Sequence, residues 1–345
     1  MKQLIRPSRL QPGDTVATVS LSAGLAGTPQ LRWRYEQGKR RLQEVFGLRV
    51  VEMPHTLAPQ DHVAAHPEAR AADLMQAFAD PQIKAVFSCI GGSDSIRLMP
   101  YIDYDVIAAN PKIFCGYSDT TVNHLMCYKA GLASFYGPAV LTDFAENVAM
   151  SRYTVRAVRQ SLFETAPVGN VPVAGAVIAP RSNWDEANKK LQRCYEPNAP
   201  YLLLQGRGTV RGRLIGGCFE VLSNLRGTEL FPPAEDFDGA ILFLETSEVH
   251  APVWMIEDGL RTLGAMGVLQ RLSGILWGRP QGGVLFEEYA AAIPAVLAEF
   301  GCTELPVLYN ASFGHNEPKM ILPYGALAEI DSEKCRFALL ESGVV

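Results

Sequence analysis

Short apolar runs alternate with segments of helical periodicity in the first half of the chain, and this alternation restricts the fold more than any other feature. A short apolar run that is bounded by turn residues is typical of a buried strand. Strands that alternate with helices at short intervals predict a parallel sheet with helices on both of its faces. The predicted strands lie at 16–20, 48–52, 85–90 and 113–115, and the clearest helical patterns lie at 31–46 and 151–163.

The alternation stops near residue 166, and this interruption divides the chain. Prolines, glycines and polar residues dominate 166–200, and regular apolar patterns return from Thr209. With 345 residues, the chain is long enough for two domains. We therefore predict an N-terminal α/β domain over 1–165, a linker and covering loop over 166–205, and a C-terminal α/β domain over 206–345.

Composition excludes several classes of partner. The net charge is −5 and no long basic run occurs, so binding to a nucleic-acid backbone is not expected. No run of about 18 apolar residues is present, so no membrane span is predicted. The N-terminus lacks the apolar core of a signal peptide, and the seven cysteines include no Cys-x-x-Cys pair. These features predict a cytoplasmic protein with reduced thiols.

The first predicted helix, 31–46, carries a group of basic residues. We interpret them as a solvated helix face, which is the usual place for charged residues on an amphipathic helix. The group consists of Arg32, Arg34, Lys39, Arg40 and Arg41.

A strand-to-helix turn at Ser118 is the strongest local indication of chemistry. Gly116 interrupts the apolar run 113–115, and helical spacing resumes after the turn. A serine hydroxyl projects out of such a turn, and backbone N–H groups at the positive end of the helix can hold an oxyanion. Thr120 replaces the last glycine of the Gly-x-Ser-x-Gly pattern. The turn alone therefore indicates a nucleophile elbow or, more commonly, a helix cap made by Ser118 and Asp119.

A second loop, Gly91-Gly92-Ser93, directly follows the predicted strand 85–90. Its glycines allow the backbone to approach a ligand closely, and Ser93 or Asp94 also suits the cap of a following helix. The spacing of a phosphate loop is missing. We predict that Gly91 and Ser93 contact the substrate.

Two residues in the second half complete a possible catalytic set. Glu245 stands at the carboxyl end of the apolar run 240–244, and His315 lies in a loop bounded by glycine and proline. A serine needs a base to take its proton, and the imidazole needs a partner that fixes its tautomer. Ser118, Glu245 and His315 supply these parts in chain order. Each also has a simple structural interpretation: a helix cap, a solvated strand end and a loop histidine.

Several motifs, taken together and in order, resemble the LD-carboxypeptidase family of serine peptidases (S66). They cover nearly the whole chain. The motifs are Ile90-Gly91-Gly92, Leu98-Met99-Pro100-Tyr101-Ile102-Asp103-Tyr104-Asp105, Gly116-Tyr117-Ser118-Asp119-Thr120-Thr121, Phe135-Tyr136-Gly137-Pro138-Ala139, Ile215-Gly216-Gly217, Leu242-Phe243-Leu244-Glu245, Gly314-His315 and Leu322-Pro323-Tyr324-Gly325.

The resemblance implies an N-terminal parallel α/β domain, of flavodoxin or Rossmann-like type, and a C-terminal α/β domain of the swivelling β/α type. It implies a homodimer that needs neither a metal nor another cofactor. Ser118 matches the nucleophile, Glu245 the triad acid and His315 the triad base. The backbone N–H groups of Gly92 and Asp119 match the oxyanion donors.

Within the family, the chain is most similar to the microcin C self-immunity branch. The tyrosine-rich segment 101–105, the segment 135–139 and the long loop around Trp184 carry this similarity. In that branch a loop tryptophan stacks on the adenine of the substrate, and Trp184 is the matching residue.

Two positions depart from the family pattern. Cys218 stands where the family usually has asparagine, and Thr246 stands where an acidic residue usually follows the triad glutamate. Glu248 is a nearby carboxylate that could be mistaken for the triad acid, but Glu245 directly ends the strand. These departures leave the substrate open.

The predicted function is a serine carboxypeptidase that cleaves an amide next to a free carboxylate, in a small peptide or aminoacyl-nucleotide substrate. An aminoacyl-nucleotide of the microcin C type is preferred, and the L-to-D amide of a muropeptide is the alternative. A cationic or amide group must meet the substrate carboxylate, and the sequence does not identify it. Two other interpretations remain open: a nucleotide-binding module without chemistry, and an α/β-hydrolase esterase.

Overall fold

The computed structural model describes residues 2–178 and 184–345, so 179–183 of the predicted covering loop lie outside the described residues. The described part is an α/β structure with one sheet in each half. Its strands are β1 (Thr15–Val19), β2 (Arg49–Glu52), β3 (Ile83–Ser88), β4 (Ile113–Gly116), β5 (Phe135–Tyr136), β6 (Gly169–Asn170), β7 (Ala176–Ile178), β8 (Tyr195–Pro197), β9 (Leu202–Gln205), β10 (Thr209–Cys218), β11 (Ile241–Glu245), β12 (Gly274–Gly278), β13 (Val307–Ala311), β14 (Leu322–Pro323), β15 (Leu327–Asp331) and β16 (Arg336–Leu339).

Helices cover both sheets and connect most of the parallel strands. The α-helices are α1 (Arg32–Phe46), α2 (Gln60–Ala65), α3 (Pro67–Ala79), α4 (Tyr104–Ala109), α5 (Thr121–Lys129), α6 (Arg152–Val158), α7 (Phe219–Leu225), α8 (Val253–Ala265) and α9 (Phe286–Glu299). Among the described helices, none combines the length and the apolar character that crossing a bilayer requires.

The first sheet confirms the parallel α/β prediction for the N-terminal half. Its strand order is β14-β5-β4-β3-β1-β2, and β1 to β5 run parallel. In the central strands β1, β3 and β4 most residues are apolar and buried, as expected for a sheet covered on both faces, and Lys84 of β3 is the exposed exception. The edge strand β14 comes from the C-terminal part of the chain and pairs antiparallel with β5. This pairing ties the loop that carries His315 to the first sheet.

The second sheet has a parallel centre and antiparallel edges. Its order is β6-β16-β15-β10-β11-β12-β13-β9, in which β10 to β13 run parallel. The strands β6 and β9 belong to the segment predicted as a linker, so part of that segment extends the second sheet. The boundaries of the two domains remain a prediction.

The interpretation of α1 as a solvated basic face is wrong for two of its residues. Arg34 and Arg41 are buried, with 1% and 9% of their surface exposed. The Arg34 guanidinium donates through Nε to the Leu141 carbonyl at 2.6 Å, and Arg41 donates to the Phe144 carbonyl at 3.2 Å. The segment 140–144 leaves these carbonyls facing α1, so the arginines satisfy buried acceptors that water would otherwise bind.

A buried ion cluster packs beneath the Ser118 turn and joins it to the loop that carries His315. The Lys319 ammonium is fully buried, 2.9 Å from Asp143 and 3.4 Å from Glu317. It also lies 4.5 Å from the ring centroid of Tyr117, the residue before Ser118. Burial by itself would lower the pKa of Lys319, but the Asp143 carboxylate outweighs it and raises the pKa.

Replacing Lys319 with methionine should therefore destabilise the fold. The substitution leaves the buried Asp143 without the Lys319 ammonium, while Glu317 keeps its ion pair with Arg193, and breaking a buried ion pair in this way costs about 3–5 kcal/mol. Urea unfolding measures the free energy of unfolding. Lys334→Met is the matched control, because Lys334 is exposed in its pair with Asp331 and its loss should cost less than about 1 kcal/mol. Equal stability of the two variants would contradict a structural role for the cluster.

Candidate active site

Ser118 lies on a sharp turn between β4 and α5. Its backbone has a φ of +66°, a left-handed conformation that is uncommon for a residue with a side chain. No side-chain cap hydrogen bond is present at the start of α5 or of the short turn before it, so the helix-cap interpretation gains no support. The strained turn and a serine that is only partly buried are the local features of a nucleophile elbow.

The turn is closely packed against the Gly91-Gly92 segment. A Cβ at Gly91 would lie 2.8 Å from the Ser118 hydroxyl and 3.0 Å from the Asp119 nitrogen. A Cβ at Gly92 would lie 2.3 Å from the Ser22 hydroxyl. Glycine at both positions therefore allows the backbone to pass directly beside the serine, with the loop after β1 on its other side.

The structure brings Ser118, Glu245 and His315 together, although they are far apart in sequence. The His315 Nε2 lies 3.0 Å from the Ser118 Oγ, and its Nδ1 lies 2.8 Å from the Glu245 Oε2. Glu245 ends β11 and is fully buried, while the loop after β13 carries His315, which is 4% exposed. The same Glu245 oxygen accepts the backbone N–H of His315 at 3.1 Å, so it orients both the ring and its loop.

Tyr136 joins the two ends of this set, and the sequence analysis did not assign it a role. Its hydroxyl donates to the Glu245 Oε1 at 2.5 Å and accepts the backbone N–H of Ser118 at 3.0 Å. Burial and the neighbouring Glu245 carboxylate raise the pKa of Tyr136 well above its usual value. The phenol therefore remains a neutral donor that fixes the carboxylate relative to the elbow. The only available sequence signal was its place in the motif 135–139.

Glu248 also reaches the imidazole. Its Oε2 lies 2.9 Å from the same His315 Nε2 that faces Ser118. Because Glu245 accepts from Nδ1, a neutral ring has no proton on Nε2. The Glu248 carboxylate would then repel the lone pair of Nε2 at this distance. Burial alone would lower the pKa of His315, but Glu245 and Glu248 outweigh burial and raise the pKa to about 9. The two carboxylates therefore favour the imidazolium form of the ring.

This arrangement predicts an alkaline activity profile. A base must be neutral to accept the serine proton, so kcat/KM should rise with pH through the pKa of His315, which is about 9. Glu248→Gln removes one carboxylate that favours the imidazolium, so the midpoint should move to lower pH. The measurement is kcat/KM between pH 6 and 10 for both proteins, with the surface variant Glu304→Gln as control. A midpoint that stays in place or rises in Glu248→Gln would exclude this role of Glu248.

The Asp119 side chain turns away from the serine. It is 4% exposed and accepts from the Ser22 hydroxyl at 2.6 Å and from the Ser95 N–H at 2.8 Å. It thus ties the elbow to the loop after β1 and to the Gly91-Gly92 segment. The backbone nitrogen of Asp119, predicted as an oxyanion donor, and the Ser118 hydroxyl both lie within 3.0 Å of the point where a Cβ on Gly91 would stand.

Two cavities flank Ser118 and share Gly92 and Glu248 in their walls. The wide cavity, of about 500 Å³, is lined by Ala23, Leu25, Gln60, Ile90, Gly91, Gly92, Tyr117, Ser118, Trp184, Glu248 and His315. The small cavity, of about 190 Å³, is lined by Gly92, Ser93, Ile96, Ser118, Asp119, Val122, Cys218, Glu220, Val221, Asn224, Leu225, Ser247, Glu248 and Val249. Of the predicted substrate contacts, Gly91 and Trp184 face the wide cavity and Ser93 faces the small one.

Trp184, predicted to stack on the substrate, has features of a packing residue as well as of a substrate-binding residue. It is half-buried and packs on the apolar cluster around α1, yet it also forms part of the wall of the wide cavity. The Arg34 guanidinium lies 4.5 Å from the centroid of its ring, which holds the indole in place. The buried Arg34 therefore supports a tryptophan in the cavity wall.

One group of side chains has the spacing of a metal site. Ligand atoms of Cys218, Glu245 and His315 all lie within 4.8 Å of one another. A metal would require the cysteine as thiolate, but burial and the Glu245 carboxylate raise the pKa of the thiol well above its usual value. The thiol instead contacts Glu220 at 3.3 Å, and the imidazole is hydrogen-bonded to Glu245. These residues suit proton transfer at His315 better than metal binding.

Sequence comparisons assign both halves of the chain to one protein family. The family model of the LD-carboxypeptidase N-terminal domain (peptidase S66) matches residues 16–137, and that of the C-terminal domain matches 211–330. The chain is 30% identical over 336 residues to the microcin C7 self-immunity protein MccF of Escherichia coli, covering 96% of this chain and 94% of MccF. It is 27% identical to the murein tetrapeptide carboxypeptidase of Pseudomonas aeruginosa, over 96% of this chain and 95% of that protein.

Solved structures agree with this assignment. An MccF-like protein from Streptococcus pneumoniae in complex with AMP has a TM-score of 0.87 and 32% identity, covering 95% of this chain and 98% of its own. MccF in complex with aspartyl sulfamoyl adenosine has a TM-score of 0.88 and 28% identity, covering 99% of this chain and 100% of its own. On its fold and on the family models that match both halves, the chain belongs to the LD-carboxypeptidase family (peptidase S66) and is a serine-type carboxypeptidase.

Proposed function

We propose that Ser118, His315 and Glu245 form the catalytic triad of an amide hydrolase that acts on aminoacyl-nucleotides. The observation that carries the proposal is the continuous hydrogen-bonded chain from the Ser118 hydroxyl through the imidazole to the buried Glu245 carboxylate. Family membership makes the chain a serine peptidase, so the binding-module and esterase interpretations are set aside.

In the proposed mechanism, His315 Nε2 takes the Ser118 proton while the oxygen attacks the carbonyl carbon of the substrate. Glu245 stabilises the imidazolium that forms. The backbone N–H groups of Gly92 and Asp119 hold the negative oxygen of the tetrahedral intermediate. The imidazolium then protonates the leaving nitrogen, and a water activated by the same histidine releases the acyl group from the serine.

The wide cavity favours a nucleotide as the leaving group of the substrate. Its volume and its indole wall suit a purine, since bases stack on aromatic rings. The relatives that bind AMP and aspartyl sulfamoyl adenosine share this fold. Gln60 also lines this cavity.

A muropeptide is the second candidate, because the relative from P. aeruginosa is a murein tetrapeptide carboxypeptidase. A mass-spectrometric turnover assay that offers an L,D-tetrapeptide and an aminoacyl sulfamoyl adenosine to the wild-type enzyme separates the two. Labelling of Ser118 by a serine-reactive phosphonate tests the nucleophile independently of substrate choice. A cytoplasmic location and a homodimer remain predictions.

Trp184→Ala distinguishes the two substrate classes by a selective loss. Stacking of a base on an aromatic side chain contributes about 1–3 kcal/mol, so kcat/KM on an aminoacyl sulfamoyl adenosine should fall about ten- to hundred-fold. A tetrapeptide has no aromatic base, and its kcat/KM should hardly change. The measurement is kcat/KM on both substrates.

Thermal unfolding of Trp184→Ala is the control, because the indole packs on Arg34. An equal loss on both substrates, together with a large fall in the melting temperature, would show that Trp184 acts only by packing in the cavity wall.

A further inference from the structure

Arg70, on α3, is a buried cation that the proposed mechanism does not use. None of its side chain is exposed, and its two terminal nitrogens bind the two oxygens of Asp94 at 2.8 Å and 3.1 Å. The same guanidinium donates through Nη1 to two carbonyls of the loop after β1, those of Leu21 at 3.0 Å and Ser22 at 3.4 Å. Arg70 therefore joins the loop after β1 to the loop that contains Gly92 and Asp94.

A hydrogen bond continues from the loop after β1 to the Gly91-Gly92 peptide. The Ala23 N–H donates to the Gly91 carbonyl at 3.1 Å. The peptide between Ser22 and Ala23 and the peptide between Gly91 and Gly92 are both trans. A planar trans peptide points its carbonyl and its N–H in opposite directions. The contacts therefore form one line, which starts at Arg70, crosses these two peptides and ends at the Gly92 N–H.

This geometry turns the Gly92 N–H toward the nucleophile. The loop after β1 lies on one side of the segment, where a Cβ at Gly92 would meet Ser22, and the elbow lies on the other, where a Cβ at Gly91 would meet Ser118. Because the Gly91 carbonyl faces the loop after β1, the N–H of the same peptide faces the elbow. Among the described residues, neither this N–H nor that of Asp119 has a hydrogen-bond acceptor.

The second proposed oxyanion donor is connected to the same arginine. The Ser22 carbonyl accepts from Arg70, while the Ser22 hydroxyl donates to the Asp119 carboxylate at 2.6 Å. Ser22 therefore relates the position of Asp119 to that of the Gly91-Gly92 segment. The distance between the two donors depends on the loop that Arg70 holds.

We infer that Arg70 is a positioning residue for the oxyanion hole. It fixes the loop after β1, so that the Ala23 N–H holds the Gly91 carbonyl and the Gly92 N–H faces the negative oxygen. Its charge also stands at the far end of a chain of polarised peptides, and hydrogen bonds in such a chain strengthen one another. The inference rests on the proposed function, because it takes Ser118 as the nucleophile and Gly92 as a donor.

The oxyanion forms only after the substrate has bound, so the inference predicts a loss in kcat rather than in KM. Arg70→Met and Arg70→Lys are assayed on the L,D-tetrapeptide or the aminoacyl sulfamoyl adenosine, whichever the wild-type enzyme cleaves. Removal of one oxyanion donor costs about 10²–10³ in kcat, so Arg70→Met should lower kcat about hundred-fold and change KM less than about three-fold. Arg70→Lys keeps the charge without the planar fork and should lower kcat about ten-fold.

Labelling by a serine-reactive phosphonate gives a second measurement of the same donors. The phosphonyl oxygen takes the place of the oxyanion when Ser118 attacks, so the labelling rate should fall in the order wild type, Arg70→Lys, Arg70→Met. Binding of the uncleaved substrate is measured by calorimetry with Ser118→Ala and with the double variant that also carries Arg70→Met. Equal affinities are expected, since the bound substrate has not yet formed the oxyanion.

Arg97→Gln is the matched control. Arg97 contacts the same Asp94 carboxylate at 3.2 Å, but 47% of its side chain is exposed and its other hydrogen bond goes to the Ala64 carbonyl. Its loss should leave kcat within about two-fold of the wild-type value, because exposed ion pairs contribute little. All rates are calculated from the concentration of folded enzyme, which thermal unfolding measures.

A backbone variant tests the line of contacts without removing the buried charge. Lactic acid in place of Ala23, introduced as an α-hydroxy acid during translation, replaces the N–H with an ester oxygen and keeps the methyl group. The Gly91 carbonyl then loses its donor, and kcat should fall about ten-fold or more while KM hardly changes. This variant decides the question if Arg70→Met does not fold.

The outcomes separate this inference from the proposed function. A fall in kcat at nearly constant KM, in the folded Arg70 variants and in the lactic acid variant, supports it. A kcat within about two-fold of wild type in either kind of variant, a loss confined to KM, or an equal loss in Arg97→Gln overturns it and leaves an active amidase. Absence of turnover by the wild-type enzyme on both compounds, with no phosphonate labelling of Ser118, overturns the proposed function and this inference with it.

Discussion

Replacing Ser118 with alanine should lower kcat by about four to six orders of magnitude and leave the fold intact. Without the hydroxyl there is no acyl-enzyme, and losses of this size are typical when the nucleophile of a triad is removed. The free energy of unfolding should change by less than about 1 kcal/mol, because the side chain makes no helix-cap hydrogen bond. Single-turnover kinetics and urea unfolding measure the two quantities.

Ser223→Ala is the matched control for this loss. Ser223 lies on α7, outside the walls of both cavities at Ser118, and its replacement should leave kcat near the wild-type value. Near wild-type turnover by Ser118→Ala would place the nucleophile elsewhere in the chain.

Replacing Glu245 with glutamine should lower kcat by about 10³- to 10⁴-fold, the second largest effect expected here. The carboxylate accepts from the ring and the backbone of His315 and from Tyr136, and an amide cannot accept all of these hydrogen bonds. The imidazolium formed during acylation also loses the charge that stabilises it.

Glu248→Gln is the comparison for this effect. Glu248 contacts only the side of the ring that faces the serine, so kcat at alkaline pH and saturating substrate should fall less than about ten-fold. The kcat of each variant is calculated from the concentration of folded enzyme, because a buried amide without hydrogen-bond partners also lowers the stability of the fold. A fully active Glu245→Gln together with an inactive Glu248→Gln would assign the acid role to Glu248.

The local features of the site could be predicted from the sequence because they depend on neighbours along the chain. The apolar runs around 113–115 and 240–244 formed strands where expected. In a parallel sheet, the residues that follow the carboxyl ends of strands meet at one edge. The family resemblance then selected Ser118, Glu245 and His315 among the polar residues at such ends.

Contacts that depend on distant segments were not predictable in this way. Arg34 and Arg41 have the spacing of a solvated face, yet the carbonyls of 140–144 bind them inside the protein. The hairpin of β15 and β16 also lacked a clear sequence signal, because its short strands owe their stability to pairing with β10.

The sequence by itself determined the α/β architecture, the family and the chain order of serine, acid and base. Only the tertiary structure decided that Tyr136 joins Glu245 to the elbow, that Arg34 supports Trp184, and that Glu248 reaches the catalytic imidazole. The physical reason is the range of the interactions. Strand and helix periodicity depends on residues a few positions apart. The charge around His315 instead comes from Glu245 and Glu248, which the fold brings to the ring although they are 70 and 67 residues away along the chain.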